Sequence, residues 1–349
     1  MAEVINVVIC DDSALVRAAV SRILEREPGI SVVARVGDGK LAVLEGDRRR
    51  GGAQPVDVVV LDLEMPVMDG MTALPLLLGA DPSVRVLISS TTTTRGAEAA
   101  LQALSLGASD YLPKPRASDG ASGSRFSEEL LAKVHGLTRL RRRTAADPTS
   151  SILRPRLARQ PPQLLAIGSS TGGPNALFTL VPELQHLPIP LVLTQHMPPM
   201  FTPILAEHIT RLGVMPCTEA QGGEMLAPGR IYLAPGDRHF LVHAVAGGLR
   251  TCLSSGPAEN YCRPSVNLMM RSAAAACPGQ VLAVMLTGMG RDGLDGARCI
   301  VEGGGMALAQ DEATSVVWGM PGAVARAGLC HAVLPLAELG AKIRSLVLR

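Results

Sequence analysis

The feature that most limits the fold of this chain is a regular alternation of short apolar runs with longer helical patterns. The short runs are rich in Val and Ile, as strands buried on both faces of a parallel sheet are. Five such strand–helix units predict a doubly wound, five-stranded parallel sheet. The predicted strands are 6–10, 31–36, 56–61, 84–88 and 110–112, and the predicted helices are 14–26, 39–49, 69–78, 96–106 and one from Ser127 onward.

The alternation resumes at residue 164 and predicts a second α/β domain with a mainly parallel sheet. Turn signals and short strand patterns over residues 222–254 predict an antiparallel addition to that sheet. The remaining predicted strands are 164–167, 191–195, 281–286 and 306–309, and the predicted helices are 175–184, 202–212, 265–276 and one after Asp292.

A change in composition separates the two α/β regions. Between Arg139 and Arg159 there are seven arginines and one acidic residue, and prolines interrupt any long helix. A solvated hinge explains this charge most simply, although contact with nucleic acid or an acidic protein would explain it too. We therefore predict a first domain at 1–125, a linker helix and Arg/Pro-rich linker at 126–162, and a second domain at 163–349.

The composition excludes several classes of protein. The chain has 33 basic and 31 acidic residues, so it is not broadly basic like many nucleic-acid-binding proteins. One Trp, three Tyr and four Phe are too few for base-stacking platforms. The seven cysteines form no CxxC pair, which predicts reduced thiols and a cytoplasmic protein. The chain has no uncharged apolar run of 18 residues, so we expect no membrane insertion.

Polar side chains follow the predicted strands of the first domain. Asp11 and Asp12 follow the first strand, Asp62 the third, Ser89 the fourth and Lys114 the fifth. The carboxyl ends of parallel strands meet at one edge of a sheet, so we expect these side chains to converge. Crowded carboxylates need a neutralising cation, and Mg²⁺ prefers such oxygen ligands. Taken alone, Asp11 would serve equally well as a helix cap or turn residue.

The segments DDS at 11–13, LDLEMPVMDG at 61–70 and YLPKP at 111–115 resemble the receiver domain of bacterial response regulators. The resemblance covers about residues 4–117 and implies a histidine kinase as partner. The roles it implies are phosphoacceptor for Asp62, Mg²⁺ ligands for Asp11, Asp12 and Asp62, and receiver switch for Ser89, Tyr111 and Lys114.

Residues 168–172 fit the pattern G-x-S-x-G between a predicted strand and a predicted helix. That context forms a tight turn that presents Ser170 close to the N–H groups of a helix N-terminus. The motif alone would also suit a phosphate or dinucleotide, although no GxGxxG or GK[ST] pattern is present here.

His196 and Asp292 strengthen the interpretation of Ser170 as a nucleophile. Each follows a predicted strand, so both are expected at the same edge of the sheet as Ser170. A serine, a histidine and an aspartate so placed have the parts of a catalytic triad: nucleophile, general base and orienting carboxylate. Asp295 and Asp311 compete with Asp292 for the third role.

Six segments of the second domain are similar to the CheB methylesterase family, in which a receiver is joined to a protein-glutamate methylesterase. With the receiver segments, the resemblance covers the chain except for the linker. The segments are AIGSSTGG at 166–173, TQHMPP at 194–199, YLAPGDRH at 232–239, CRPSV at 262–266, LTGMGRDG at 286–293 and AQDEATSVVWGMP at 309–321. The implied catalytic residues are Ser170, His196 and Asp292, with backbone N–H groups of Met289 and Thr171 as the oxyanion hole.

The resemblance implies a phosphorylation-activated hydrolase. It would demethylate glutamyl esters and deamidate glutamines on methyl-accepting chemotaxis receptors, as a cytoplasmic monomer partnered by a chemotaxis histidine kinase. It implies Mg²⁺ for receiver phosphorylation, no cofactor for the esterase reaction and no nucleic acid partner. A phosphorylation-dependent adaptor and a hydrolase of small-molecule esters remain alternatives.

Two positions depart from the pattern of this family. Asn267 stands where an Asp is usual in RPSVD, and Met200 follows HMPP where a Gly is common. We expect neither residue to contact the triad.

Overall fold

The computed structural model describes residues 4–52, 54–91, 93–114, 122–142, 160–185, 187–213 and 215–348. The chain divides into two compact units, Met1–Ala145 and Ala146–Arg349. Residues 143–159, which hold most of the predicted Arg/Pro-rich linker, lie outside the described residues. Over the described ranges, every helix is too short or too polar to cross a bilayer.

The described part of the first unit alternates five strands with five helices. They are β1 (Ile5–Cys10), α1 (Ala14–Glu25), β2 (Ile30–Val36), α2 (Gly39–Arg49), β3 (Val58–Asp62), α3 (Gly70–Ala80), β4 (Arg85–Ser90), α4 (Thr94–Ser105), β5 (Asp110–Pro113) and α5 (Ser122–Arg142). The sheet order is β2-β1-β3-β4-β5 and every pair is parallel. This confirms the predicted doubly wound, five-stranded parallel sheet.

Side-chain caps fix where four of these helices begin. Ser13, Asp38, Asp69 and Thr93 each accept a hydrogen bond from a backbone N–H in the first turn of α1, α2, α3 and α4. A cap of this kind stabilises a helix by about 1 kcal/mol. The caps therefore hold the loops that join strands to helices, and these loops form the carboxyl edge of the sheet.

The helix α5 packs against the first unit through one apolar face. Leu130, Val134 and Leu137 are almost fully buried and follow helical spacing. The helix predicted at the start of the linker is therefore part of the compact first unit. The predicted boundaries at residues 125 and 162 stay predictions.

The second unit is built around a larger sheet. Its described elements are β6 (Leu164–Ser169), α6 (Gly173–Leu180), β7 (Leu191–Gln195), α7 (Thr202–Arg211), β8 (Cys217–Glu219), β9 (Ile231–Leu233), β10 (His239–Val245), β11 (Gly248–Ser254), α8 (Val266–Ala276), β12 (Val281–Met285), α9 (Leu294–Glu302), β13 (Met306–Gln310), α10 (Met320–Arg326), β14 (Ala332–Leu334) and α11 (Leu336–Val347). Seven of these strands form a parallel sheet in the order β14-β13-β12-β6-β7-β9-β8, as predicted for this domain.

Two local predictions in this unit were only partly correct. β10 and β11 form an antiparallel hairpin, as predicted for this segment, whereas β9 extends the parallel sheet beside β7. A three-residue strand is too short to show a periodicity in the sequence. The helix predicted at 175–184 ends as α6 at Leu180, and Val181–Leu184 is a 3₁₀ turn. Pro182 lacks an N–H donor and cannot continue the α-helical hydrogen bonding.

The centre of the second sheet positions the candidate catalytic residues. The strands β12, β6 and β7 are neighbours, and every residue in them is buried. Ser170 directly follows β6, His196 directly follows β7, and the segment that contains Asp292 follows β12. The three predicted residues therefore leave the sheet at one edge.

Candidate active site

The carboxyl edge of the first sheet gathers the predicted acidic cluster. Carboxylate oxygens of Asp11, Asp12 and Asp62 lie within 4.8 Å of one another. The Nζ atom of Lys114 lies 2.8 Å from an oxygen of Asp11 and 2.7 Å from an oxygen of Asp62. Three carboxylates facing one ammonium group form an oxygen-rich, net negative site. This donor set fits a hard divalent cation such as Mg²⁺.

The ionisation of this cluster depends on burial and on its single lysine. Burial raises the pKa of the Asp62 carboxyl; the contact with Lys114 opposes this rise without cancelling it, and the charge of Asp11 adds to it. Burial alone would lower the pKa of Lys114, but its contacts with Asp11 and Asp62 raise it above the ordinary value. The lysine therefore stays charged, while its contact with Asp62 does not fully offset the cost of burying the charged carboxylate.

The predicted switch residues lie on the two adjacent strands. Ser89 is buried and pairs with Asp62 in the register of β3 and β4. Tyr111 on β5 is also buried, and Nζ of Lys133 lies 5.3 Å from the centre of its ring. Burial, together with the charges of Glu129 and Asp110, raises the pKa of Tyr111 well above its ordinary value. The phenol is therefore neutral, and its role as a switch stays a prediction.

In the second unit, Ser170 lies in a tight turn between β6 and α6. Its N–H donates to the carbonyl of Thr287 at 3.0 Å, which ties the turn to the segment after β12. Its carbonyl accepts from the N–H of Gly173 at 2.8 Å and from Nε2 of Gln195 at 2.9 Å. The backbone of the predicted nucleophile is therefore held from three sides.

Two glycines make this turn possible. Gly172 has φ of 74°, a left-handed conformation that suits glycine, and a Cβ there would collide with Val316. A Cβ on Gly173 would collide with the side chain of Gln195. The glycines of the G-x-S-x-G region are thus required by backbone geometry and close packing.

The predicted base and carboxylate contact each other directly. Nε2 of His196 lies 2.8 Å from Oδ2 of Asp292. Burial would raise the pKa of Asp292, but its bonds with His196, Val266 and Ser265 lower it below the ordinary range. The other donors to this carboxylate are Ser265 Oγ at 2.9 Å, the N–H of Val266 at 2.7 Å, the N–H of Asn267 at 3.3 Å and Asn260 Nδ2 at 3.3 Å.

The second ring nitrogen of His196 faces a cysteine. Nδ1 lies 3.6 Å from Sγ of Cys262. Burial would lower the pKa of His196, but the contacts with Asp292 and Cys262 overcome this and raise it to about 9. Across the described residues, the Ser170 hydroxyl has no recorded hydrogen bond, so the role of Ser170 stays a prediction. Sequence analysis missed Cys262, because 66 residues separate it from His196 and no spacing pattern connects them.

The backbone next to each predicted oxyanion-hole residue runs close to Ser170. Thr171 follows it, and its carbonyl accepts from Oγ1 of Thr287 at 2.9 Å. Met289 follows Gly288, where an added Cβ would lie 2.9 Å from Cβ of Ser170, so this backbone passes directly beside the serine. Within the described part of the chain, no hydrogen bond is recorded for the N–H of Thr171 or Met289. Their role as an oxyanion hole stays a prediction.

Asp295 and Asp311, the alternatives to Asp292 as the triad carboxylate, make different contacts. Oδ1 of Asp311 accepts from the N–H of Thr314 at 2.9 Å and from its hydroxyl at 2.6 Å, so this carboxylate stabilises a turn. Asp295 lies in the first turn of α9. Of the three acids, Asp292 is the one that is hydrogen-bonded to His196.

Asn267 corrects one prediction, because it contacts the candidate triad. Its backbone N–H donates to Oδ1 of Asp292 at 3.3 Å. Its side-chain oxygen accepts from the N–H groups of Gly293 and Gly296, each at 2.9 Å, and its Nδ2 donates to Glu259 at 2.9 Å. Asn267 therefore joins α8 to the segment that carries Asp292, over a sequence separation that hides the contact.

Each of the two units matches the model of a known protein family. The family model for the CheB methylesterase matches residues 165–343, and the model for the response regulator receiver domain matches residues 7–120. The crystal structure of the Thermotoga maritima CheB methylesterase catalytic domain is 39% identical, with a TM-score of 0.52, and the match covers 53% of this chain and 99% of that chain.

Two full-length relatives extend the comparison to the whole chain. A protein from Paramagnetospirillum magneticum is 47% identical over 373 residues, covering 99% of this chain and 97% of the relative. A protein from Azospirillum brasilense is 48% identical over 373 residues, covering 99% and 93%. Both relatives are named protein-glutamate methylesterase/protein-glutamine glutaminase. This chain therefore belongs to the CheB methylesterase family and carries a response regulator receiver domain ahead of its methylesterase domain.

Proposed function

We propose that this chain is a phosphorylation-activated protein-glutamate methylesterase and protein-glutamine glutaminase that acts on chemoreceptors. The observation that carries the proposal is the His196–Asp292 pair beside the Ser170 turn, at one edge of a sheet. The pair lies within a chain that matches relatives of that name over 99% of its length. An adaptor would not need a buried carboxylate that orients a histidine beside a serine turn.

In the proposed reaction, Ser170 Oγ attacks the carbonyl carbon of a glutamyl methyl ester. Nε2 of His196 is engaged by Asp292, so Nδ1 accepts the serine proton as the new C–O bond forms. That proton then passes to the leaving methoxide, and methanol departs. Water attacks the resulting acyl-serine by the same proton route and releases glutamate. A glutamine side chain reaches the same acyl-serine by losing ammonia.

Backbone dipoles would stabilise the oxyanion that forms in each step. The N–H groups of Met289 and Thr171 flank Ser170, and a single such donor contributes about 10²–10³ in rate. The positive end of α6, which begins at Gly173 in the turn after Ser170, adds to the stabilisation of the oxyanion. The esterase reaction is proposed to need no cofactor.

In the receiver, we assign Asp62 as the phosphoacceptor for a chemotaxis histidine kinase. Asp11, Asp12 and Asp62 would hold Mg²⁺, which neutralises negative charge around the phosphoryl group. Lys114 would pair with the phosphoryl oxygens, and the side chains of Ser89 and Tyr111 would change position in response to phosphorylation. The added charge and acceptor oxygens then bias a two-state element of the receiver.

The cellular setting follows from the same proposal. All seven cysteines are free thiols, which is typical of a reducing compartment. We assign the protein to the cytoplasm as a monomer with no nucleic acid partner, in line with its balanced charge.

Methanol release from methylated chemoreceptor membranes tests the proposal. The wild-type protein should release methanol, and Ser170→Ala should not. Absence of release by the wild type on a cognate receptor array would reject the proposed substrate. Release of acid from small esters alone would favour a hydrolase of another ester.

A further inference from the structure

A thiol and an imidazole face each other beside the proposed catalytic pair. Sγ of Cys262 lies 3.6 Å from Nδ1 of His196, and both side chains are partly accessible to solvent. The proposed reaction uses the imidazole but assigns nothing to the thiol.

The separation of these two atoms matches that of two ligands on one zinc ion. Zn–S and Zn–N bonds of about 2.3 and 2.1 Å at a tetrahedral angle place sulfur and nitrogen about 3.6 Å apart. A metal-binding histidine also usually donates its other ring N–H to a carboxylate. Asp292 already occupies that position at 2.8 Å from Nε2. Cys262 and His196 therefore have the spacing of two ligands of one metal ion, and Asp292 holds the histidine ring in the orientation that binding requires.

The carboxylate itself is an outer partner and not a third ligand. Carboxylate oxygens of Asp292 lie near the sulfur and the ring nitrogens, but both oxygens accept hydrogen bonds from buried backbone and side-chain donors. The carbonyl of Asn260 lies 3.3 Å from Sγ of Cys262 and offers one more oxygen. Solvent supplies the rest, since the side chain of His196 is 11% exposed.

We propose that Cys262 and His196 form a binding site for a thiophilic divalent cation such as Zn²⁺, and that the bound ion inhibits the esterase. On binding, the thiol and the protonated imidazole each release a proton to solvent, the imidazole from Nδ1, and the sulfur and Nδ1 then each donate an electron pair to the metal. The ion then occupies the nitrogen that would accept the Ser170 proton. The binding step stands on geometry alone, whereas the inhibition rests on the proposed function.

Cobalt substitution tests the binding step without any enzyme assay. Co²⁺ is titrated into the full-length protein with Mg²⁺ in excess, so that the acidic cluster of the receiver is already occupied. A thiolate-to-cobalt charge-transfer band should saturate at one equivalent, and Zn²⁺ should displace it. Cys262→Ser should abolish the band, while Cys299→Ser should keep it, because Cys299 is exposed and belongs to no His/Cys/acid cluster among the described residues. A band that survives Cys262→Ser, or no band in the wild type, would overturn the site.

Zn²⁺ inhibition of methanol release tests the second step. The rate of each variant with Zn²⁺ is divided by its own rate without Zn²⁺, so that a lower activity of the variant itself does not affect the comparison. Zn²⁺ should inhibit the wild type and Cys299→Ser, a chelator should restore them, and Cys262→Ser should need a higher Zn²⁺ concentration for the same inhibition, because it lacks the soft thiolate ligand. Equal sensitivity of the wild type and Cys262→Ser would overturn the inhibition. A cobalt band in a protein without esterase activity would reject the proposed function but keep the metal site.

Discussion

Each of the two units buries an aspartate at the carboxyl edge of its parallel sheet, yet the pKa values of the two carboxyl groups shift in opposite directions. Asp62 ends β3 and Asp292 follows β12, and their side chains are 4% and 2% exposed. The pKa of Asp62 is raised, whereas that of Asp292 is lowered. Burial acts on both in the same direction, so the difference comes from their partners.

The number of hydrogen-bond donors explains the difference. Asp292 accepts from a histidine, a serine, an asparagine side chain and two backbone N–H groups. Asp62 has one lysine at 2.7 Å and one long contact of 3.4 Å from the N–H of Glu64, and it faces the charge of Asp11. The site in the second unit is therefore preorganised around its negative charge, as catalysis by fixed dipoles requires. The site in the first unit is left short of positive charge, which a divalent cation bound by its carboxylates would supply.

The largest expected effect identifies the nucleophile of the preorganised site. Ser170→Ala should lower methanol release by about 10³-fold or more, since a triad without its nucleophile keeps only binding and oxyanion stabilisation. Cys262→Ala should keep most of the activity in the same assay. The reverse pattern would make Cys262 the nucleophile, in a thiol–imidazole–carboxylate arrangement.

Aspartate-to-asparagine changes at the two sites should affect stability with opposite signs. Asp292→Asn should destabilise the second unit by about 3 kcal/mol, because an amide cannot satisfy donors arranged for a carboxylate. Asp62→Asn should stabilise the first unit, because it removes a carboxylate whose charged form is disfavoured there. Urea unfolding of the full chain, followed by amide hydrogen exchange in each unit, measures both. Changes of the same sign would contradict the comparison.

The pH dependence of the esterase tests the electrostatics of His196. The neutral imidazole is the active base, and its pKa is raised to about 9. With a chelator present, kcat/KM should therefore rise with pH toward a midpoint near that value. Cys262→Ala removes one of the contacts that raise the pKa, so the midpoint should move to lower pH. A wild-type midpoint at the ordinary histidine value of 6.5 would contradict this assignment.

The smallest expected effect concerns the turn that brings Asn260 to the carboxylate. Asn260 and Tyr261 have φ of 51° and 61°, and Glu259 and Cys262 exchange two backbone hydrogen bonds around them. A tyrosine in the left-handed region is strained, so Tyr261→Gly should stabilise the protein by about 0.5–1 kcal/mol in thermal unfolding. Tyr261→Ala, which removes the ring but keeps the strain, is the matched control. A gain of the same size in both variants would contradict the strain argument.

Sequence patterns were sufficient for the elements that are long or regular. Strand runs of three to six residues located all five strands of the first sheet and four of the seven strands of the second, and strand ends located Asp62, Ser170, His196 and Asp292 at the sheet edges. The three-residue strands β8 and β14 were missed, and β9 was assigned to an antiparallel segment, because a period of two cannot be seen over three residues.

The contacts that tune the second site could not be predicted in this way. Asn267 bonds to the N–H of Gly293, and Cys262 lies beside His196, across 26 and 66 residues of sequence respectively. Such contacts depend on how α8 and the preceding turn pack against the sheet. Tertiary packing of this kind leaves no periodic signal in the chain.

We propose that the acidic site of the first unit, once phosphorylated, controls the esterase site of the second. The most direct test is the initial rate of methanol release from methylated receptor membranes, with and without a small phosphodonor and Mg²⁺, for the wild type and Asp62→Asn. The account predicts that the phosphodonor accelerates the wild type severalfold and leaves the Asp62→Asn rate unchanged. Equal acceleration of both proteins, or acceleration of neither, would contradict it.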